Sequence, residues 1–538
     1  FPSTATIVLR PGNKYSALLL ANAPRYSFNL SPELFWLYVV DMTLVSDLAA
    51  ASAHVHDSAK LPSGDYDRQL RELVEYLKRL LSTKALDALA NDESILDHFN
   101  PARDSIPYLF ILRLQIQTAQ ETTVETVPTK IQPKGVLWTR SVDFLRNFDR
   151  IQVRYVGREW RELLEIVGHA SQAVSQPLLA TRLIRDAMLR LDPSCAVFTS
   201  THLLLVRLCL HAKAYSCALP VLDNHICHLP VMPMHPSSEL PVLCAAHESS
   251  VPFVTDTSGL SSKITYRDYL QYFLYSGMVY MALKDWRKAL HFLGVVVSTP
   301  VASSVSLVMV EAYKKWVLVG LLEHGRLYPP PTITTPHVMK IYQSMARPYV
   351  ILAHAFERGD IRRLRAEVDS AKDIWENDNN TGLVSQVVNS FYRQAIIKLG
   401  KTFAALTVAD LAKQVFPLPV HEEIAESVIV SLVLSGALDA TLLQTQDQAV
   451  SSMLRFSTTS SFTRLSHEMH IQSQLQKERF IMEALVGNLR ESNQTLGLSD
   501  ECVDSVHKGQ AWSGSEVNPI LGEEVGLEMD EDLMGDMP

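Results

Sequence analysis

Apolar residues recur at every third or fourth position along roughly 400 residues of this chain, and this rhythm changes just after Gly436. The spacing is that of amphipathic helices, so it predicts a long succession of helices. At 538 residues the chain is too long for one ordinary core, and 47% hydrophobic with 20% charged residues is typical of a folded, soluble protein. We therefore expect several domains or one extended repeat array.

The segment after Gly436 predicts two short strands, residues 437–443 and 449–453, around a Gln446-Asp447 turn. They follow two compact predicted helices, 408–416 and 420–434. A helix-helix-hairpin unit that ends a helical array is the plan of a winged helix. Because a winged helix offers a recognition helix and an exposed hairpin edge, it favours a role in assembly.

The predicted recognition helix, residues 420–434, argues against nucleic-acid binding. It carries Glu422, Glu423 and Glu426 and no Lys or Arg, so phosphates would repel it. The whole chain has a formal net charge of −9. Arg358, Arg362, Arg363 and Arg365 alternate with acidic neighbours, which indicates a solvated helix face.

Between residues 142 and 230 the pattern predicts four helices, near 160–174, 178–191, 198–212 and 215–225. Residues 230–260 hold five prolines, too many for a regular element, and predict an insertion or long loop.

A tetratricopeptide-like pattern follows at Phe273, Gly277, Tyr280, Ala289 and Leu293, where small residues let two antiparallel helices cross closely. One such pair cannot bury its apolar face alone. We expect further helices to stack on it, at 301–322, 335–357, 361–376 and 382–399.

A long helix is predicted at 462–489, with an apolar seam too narrow for a core of its own. It needs partner helices. From Trp512 onward acidic residues meet no basic residue, which predicts an acidic, disordered tail.

His54, His56 and Asp67 reproduce a spacing used by zinc-dependent deubiquitinase-type sites. The surrounding sequence lacks the apolar strand and the upstream Glu that such a site requires, so we interpret the match as a coincidence. A second set combines Cys and His residues without paired Cys spacing: Cys195, Cys209, His211, Cys217, His225, Cys227, His228, His235, Cys244 and His247. We interpret its cysteines as buried thiols and not as metal ligands.

No phosphate-binding glycine loop and no Gly-x-Ser-x-Gly nucleophile motif occurs in the sequence. We therefore expect a protein that is not an enzyme, with no cofactor, no metal and no catalytic residue. Six cysteines without paired short spacings suit a reducing compartment, so nucleus and cytoplasm are expected. No membrane segment is predicted, because the longest uncharged run, 292–310, is interrupted by Pro300.

Several stretches between about residues 144 and 488 resemble the subunit 3 family of the COP9 signalosome, whose members are PCI-domain proteins. The carrying segments are Tyr266-Arg267-Asp268-Tyr269-Leu270-Gln271-Tyr272-Phe273-Leu274-Tyr275-Ser276-Gly277-Met278-Val279-Tyr280, Asp285-Trp286-Arg287-Lys288-Ala289-Leu290, Glu311-Ala312-Tyr313-Lys314-Lys315, Asp378-Asn379-Asn380-Thr381-Gly382-Leu383-Val384, Lys401-Thr402-Phe403-Ala404-Ala405-Leu406-Thr407 and Lys213-Ala214-Tyr215-Ser216-Cys217-Ala218-Leu219-Pro220-Val221-Leu222-Asp223.

This resemblance implies a mainly α fold: a right-handed, tetratricopeptide-like α-solenoid capped by a winged helix, and a C-terminal helix. The last helices of the solenoid and the winged helix form the PCI domain. The expected divisions are a divergent segment 1–65, N-terminal repeats 66–230, a Pro-rich insertion 231–262, the helical part of the PCI domain 263–400, the winged helix 401–455, the bundle helix 460–490 and the acidic tail 491–538.

The resemblance also implies a scaffold whose partners are the other PCI and MPN subunits of the complex and, indirectly, cullin-RING ligases. In such complexes the isopeptidase that removes Nedd8 from cullins resides in an MPN-type subunit. The expected interface residues are Leu438, Leu442, Leu443 and Val450 in the winged helix, and Leu465, Met469, Leu475, Met482, Leu485 and Leu489 on the C-terminal helix.

Two alternatives share this architecture. One is the paralogous scaffold subunit of the proteasome regulatory lid. The other is a PCI protein of messenger-RNA export or translation initiation, which would bind nucleic acid through a basic wing and is disfavoured by the acidic helix 420–434.

Overall fold

A computed structural model describes residues 48–53, 63–80, 89–90, 92–123, 127–230, 250–300, 305–415, 422–434, 440–443 and 452–456, together with residues 46 and 438 and many positions between 468 and 493. The chain forms two units, Phe1–Lys401 with Val408–Leu432 and Thr402–Thr407 with Val433–Pro538. Among the described helices, none has the length and apolar character needed to cross a membrane.

The N-terminal half of the described chain is helical, as the periodicity predicts. Its helices are α1 (Ser63–Leu80), α2 (Ser105–Thr122), α3 (Val136–Asn147), α4 (Arg150–Val153), α5 (Gly157–Ala173), α6 (Pro177–Leu191), α7 (Ser200–His211) and α8 (Leu219–Leu222). The predicted helix 215–225 is wrong in length: a 3-10 turn, Tyr215–Cys217, precedes the single turn of α8. Pro220 supplies no backbone N–H for a longer hydrogen-bond ladder there.

The tetratricopeptide-like pattern forms the predicted helix pair, α9 (Tyr266–Ala282) and α10 (Trp286–Ser298). Thr265 and Asp268 form a capping box that starts α9, and the Asp285 side chain caps α10. Gly277 lies at the crossing, where an added Cβ would be 3.0 Å from Leu293. The absence of a side chain at Gly277 therefore sets how closely the two helices approach.

The helices that follow are α11 (Leu307–His324), α12 (Pro336–Met345), α13 (Arg347–Arg358), α14 (Ile361–Ser370), α15 (Lys372–Asn377) and α16 (Thr381–Gly400). Two predictions of single helices are wrong. The region 335–357 divides at Ala346, just before Pro348. The region 361–376 divides at Ala371, where the Trp375 indole N–H donates to the Val368 carbonyl at 3.0 Å.

Residues 250–262 are packed against the helices, although the prolines predict a loop or insertion there. Phe253, Val254 and Leu260 are buried. The guanidinium carbon of Arg154 lies 4.0 Å from the centroid of the Phe253 ring. Gly259 has a φ of 75° beside Arg158, a conformation that glycine tolerates readily. The preceding residues, 231–249, lie outside the described chain.

Three strands form an antiparallel sheet in the order β1-β3-β2, where β1 is Ala405–Thr407, β2 is Ala440–Leu443 and β3 is Met453–Phe456. Between β1 and β2 lie α17 (Val408–Val415) and α18 (Glu422–Leu434). The sequence missed β1, because three residues are too few to show a period. The sequence also predicted this last strand at residues 449–453, whereas β3 begins at Met453. The Gln446-Asp447 turn lies outside the described residues.

The observed helical repeats confirm the predicted mainly α fold class. The element order, one strand, two helices and two strands, agrees with a winged helix, and that arrangement stays a prediction.

His202 lies in the core of the helical unit, 3% exposed, and caps the start of α7. Its Nδ1 accepts from the Thr199 backbone N–H at 3.2 Å, so Nε2 carries the proton. Burial lowers the pKa of His202 to about 4, although the nearby Asp192 carboxylate acts in the opposite direction.

We expect replacement of Gly277 by Val to lower the free energy of unfolding by about 1 to 3 kcal/mol, because the new side chain meets Leu293. Urea denaturation followed by circular dichroism measures the change. Gly382→Val is the matched control, since nothing lies within 4 Å of an added Cβ there and α16 should keep its stability. Equal losses in the two variants would contradict the close crossing.

Acidification should weaken the core at His202. The unfolded chain takes up a proton near pH 6.5, whereas the folded chain does so only near pH 4, so stability present above pH 6.5 is lost as the pH falls toward 4. His202→Gln retains a capping group at the same helix position and does not titrate. Between pH 7 and about 4.5, we expect the native chain to lose about 2 kcal/mol more than this variant. Urea midpoints at stepped pH test this, and parallel curves would refute it.

Candidate assembly interface

A polar clasp joins α8 to the α9–α10 pair. The Tyr280 hydroxyl donates to the Asp223 carboxylate at 2.7 Å, and the Lys288 ammonium donates to the same oxygen at 2.7 Å. Burial and the Asp223 carboxylate raise the pKa of Tyr280, so its hydroxyl remains a hydrogen-bond donor. The clasp thus ties consecutive repeats together at one acidic residue.

A second polar cluster joins α11, α13 and the turn after α15. Lys314 donates to Glu311 at 2.7 Å and to Asp378 at 2.8 Å. The Tyr349 hydroxyl donates to Asp378 at 2.7 Å and accepts from the Asn380 amide at 2.8 Å. Burial alone would lower the pKa of Lys314, but its bonds to Asp378 and Glu311 outweigh that effect and raise it.

Apart from Tyr349, both clusters are built from the segments that carry the family resemblance. Asp223, Tyr280 and Lys288 come from three of those segments, and Lys314 and Asp378 come from two others. Sequence reasoning did not single these residues out, because nothing in their spacing shows that they meet. Their shared occurrence in the family-like stretches was the available signal.

The sheet offers a small outward surface. Leu443 and Met453 are register partners and are 49% and 42% exposed, and the next pair on that face, Thr441 and Arg455, is also exposed. The strand order leaves β2 paired on one side only among the described strands. This surface therefore combines an apolar pair with a strand edge that is open to further pairing.

The predicted winged-helix interface residues lie in different environments. Leu443 is exposed, Leu442 is half-buried, and Leu438 is 6% exposed. The side chain of Leu438 therefore belongs to the core of its unit. Val450 lies outside the described residues.

The C-terminal helix bears exposed apolar side chains. The described residues between 468 and 490 are helical. Met469, Leu475, Met482 and Leu489 are 69%, 63%, 65% and 63% exposed. Leu485 is half-buried, and Leu465 lies outside the described residues. Leu475, Met482 and Leu489 are spaced seven residues apart, which is the spacing of the apolar seam in coiled coils, so they form one stripe along the helix.

Only one residue of the candidate zinc site lies in the described chain. His54 and His56 lie outside the described residues. Asp67 is buried on α1, where it accepts from Arg71 at 2.7 Å and from the Tyr155 hydroxyl. Over the described residues, no group of three His, Cys, Asp or Glu side chains is placed to hold a metal ion.

Cys195, Cys209 and Cys217 are buried free thiols, which confirms their predicted environment. Burial raises the pKa of Cys195 and of Cys209 to about 12, so both are neutral near pH 7. Cys227 is half-buried, and Cys244, His235 and His247 lie outside the described residues.

Replacing Asp378 by Asn should lower the free energy of unfolding by about 1 to 3 kcal/mol, because Lys314 loses a largely buried charged partner. Glu376→Gln is the control, since its contact with Lys372 is 3.8 Å long and exposed. Urea denaturation should show a change within about 0.5 kcal/mol for the control. A loss in the control as large as that of Asp378→Asn would count against the cluster.

Comparison with known proteins identifies the relatives of this helical array. A family model described as COP9 signalosome complex subunit 3, N-terminal helical repeats, matches residues 67–338. That match contains α2 to α11, the polar clasp at Asp223, and the helix pair that crosses at Gly277.

Full-length relatives carry the same description. A protein named COP9 signalosome complex subunit 3 from Emericella nidulans is 43% identical over 493 residues, covering 91% of this chain and 98% of that protein. Proteins of the same name from Neurospora crassa and Drosophila melanogaster are 25% and 26% identical, covering 89% and 83% of this chain and 97% and 94% of their own lengths.

Proposed function

Because the chain belongs to the COP9 signalosome subunit 3 family, we propose that it is a scaffold subunit of that multi-subunit complex and performs no catalysis itself. The observation that carries this proposal is the exposed apolar stripe of Leu475, Met482 and Leu489 on the C-terminal helix. A helix that leaves such side chains in water is stabilised when it packs against other helices.

Burial of this stripe would supply much of the free energy of association. Each of its large side chains is more than 60% exposed, so covering one stabilises the complex by about 1 to 2 kcal/mol. Helices of the other subunits are the proposed partners, gathered with this helix in one bundle.

The sheet supplies the second proposed contact. A neighbouring PCI subunit would pair a strand with the open edge of β2 and cover Leu443 and Met453. Backbone hydrogen bonds at the edge fix the register, and the apolar pair contributes burial.

In the proposed complex this subunit acts on cullin-RING ligases indirectly. Its helical array and its two docking surfaces hold the other PCI and MPN subunits in place, and removal of Nedd8 from cullins occurs on an MPN subunit. The matching relatives are named for the signalosome, which favours this complex over the proteasome lid.

Replacing both Leu475 and Met482 by Asp should detach the chain from the complex and leave its repeats folded, because the charges prevent burial of the stripe. Co-expression with the other signalosome subunits, followed by affinity purification and size-exclusion chromatography, measures incorporation. We expect a decrease of at least about tenfold. Cleavage of Nedd8 from a neddylated cullin by the purified material should fall in parallel.

Ser473→Asp is the matched control. Ser473 is exposed on the same helix and lies about 160° around the axis from Leu475. This variant should assemble normally. If the Leu475 and Met482 variant co-purifies as well as the control, the bundle role is wrong.

A further inference from the structure

A groove of about 220 Å³ lies between α5, α7 and the residues that lead into α9. Its apolar lining consists of Phe198, Leu203, Leu204 and Ile264. Phe198 and Leu203 are buried in the core, whereas Leu204 and Ile264 are half-buried and remain accessible from the groove. A large apolar side chain from another molecule therefore has a surface to cover here.

Three basic side chains line the same groove and are exposed: His169, Arg207 and Lys263. Arg207 donates to the neutral amide of Gln271. Within the described chain, neither Arg207 nor Lys263 has a carboxylate partner. Their charges are available to a ligand.

The two carboxylates of the groove are already engaged. Glu165 accepts from Arg161 at 2.6 Å. Asp268 accepts from the Thr265 backbone N–H at 3.1 Å and from its hydroxyl at 2.6 Å, as part of the α9 cap. Arg161 compensates the charge of Glu165, whereas the partners of Asp268 are neutral and leave its charge in place. Arg207 and Lys263 together outweigh that single carboxylate, so the net charge of the groove is positive.

The walls of the groove are held in place before any ligand arrives. The Ser200 backbone N–H donates to the Ser261 hydroxyl at 3.1 Å, and the Ser262 backbone N–H donates to the Ser200 hydroxyl at 3.1 Å. The rings of Phe198 and Tyr269 meet edge to face at 6.1 Å. Because these side chains are already ordered, they lose little conformational entropy when a ligand binds.

We propose that this groove binds a short segment of a partner protein that carries carboxylates beside one or two large apolar side chains. The apolar side chains cover Leu204 and Ile264, and the carboxylates pair with Arg207 and Lys263. The guanidinium of Arg207 presents paired N–H groups that match a carboxylate. An acidic peptide with apolar side chains fits better than nucleic acid, because the apolar lining offers nothing to phosphates.

This site goes beyond the assembly role and uses none of the residues of the sheet edge or the C-terminal helix. A variant that no longer binds the acidic segment can still assemble, and a variant that no longer assembles can still bind the segment. The two proposals can therefore be refuted independently.

Fluorescence anisotropy with the full chain and a labelled peptide of sequence Asp-Glu-Leu-Phe-Glu-Asp tests the proposal. We expect a Kd of about 10 to 100 µM at low salt, weakening as salt is added. A peptide with Lys in place of the acidic residues, and one with Gly in place of Leu and Phe, should each bind at least about tenfold more weakly. No binding of the acidic peptide at about 1 mM would overturn the proposal, as would equal binding of either altered peptide.

Charge-reversal variants locate the site. Arg207→Glu and Lys263→Glu should each weaken binding at least about tenfold, whereas Lys340→Glu, an exposed charge reversal on α12 outside the groove, should leave it unchanged. Thermal unfolding confirms that each variant is folded; if Arg207→Glu is not, Lys263→Glu alone decides. Unchanged binding in the folded variants, or tighter binding of a single-stranded oligonucleotide than of the peptide, would show that the groove is not an acidic-peptide site.

Discussion

The close packing of one helix on the next is the constraint on which the rest of the helical unit depends. A single helix pair such as α9 and α10 buries only one of its faces, so each pair is stable only when another covers it. Gly277 shows how strict the requirement is, since a Cβ added there would be 3.0 Å from Leu293. Aromatic side chains fill the spaces that remain, as in the stacking of Tyr313 on Tyr342 at 4.9 Å.

Polar clusters give this apolar stacking a defined geometry. Burial is not directional, and helices that interact only through apolar surfaces can slide or rotate with little cost. The Asp223 clasp and the Asp378 cluster each require two donors to reach one carboxylate at hydrogen-bond distance. They join elements that are distant in sequence, so they favour one arrangement of consecutive repeats over others of similar burial.

Because each helix needs a neighbour to cover its apolar face, an element without such a neighbour leaves apolar side chains exposed. Helices within the array cover one another, but the stripe of the C-terminal helix and the Leu443–Met453 pair remain exposed. Exposed apolar side chains of this kind suit a subunit whose apolar surface is covered only in a complex. The groove at Arg207 is different in kind, because it pairs apolar lining with uncompensated positive charge and so suits a smaller, acidic ligand.

The amino-acid sequence by itself determined the helical class, the tetratricopeptide-like pair, the buried cysteines and the apolar stripe of the C-terminal helix. Each of these features follows from the local spacing of apolar residues along a helix. Only the tertiary structure decided that residues 250–262 pack on the core, that Ala405–Thr407 is a strand, and that Leu438 is buried. It also brought Asp223 to Tyr280, Asp378 to Lys314, and Lys263 and Arg207 to one groove. These depend on contacts between residues far apart in the chain, where burial and hydrogen bonding override the local pattern.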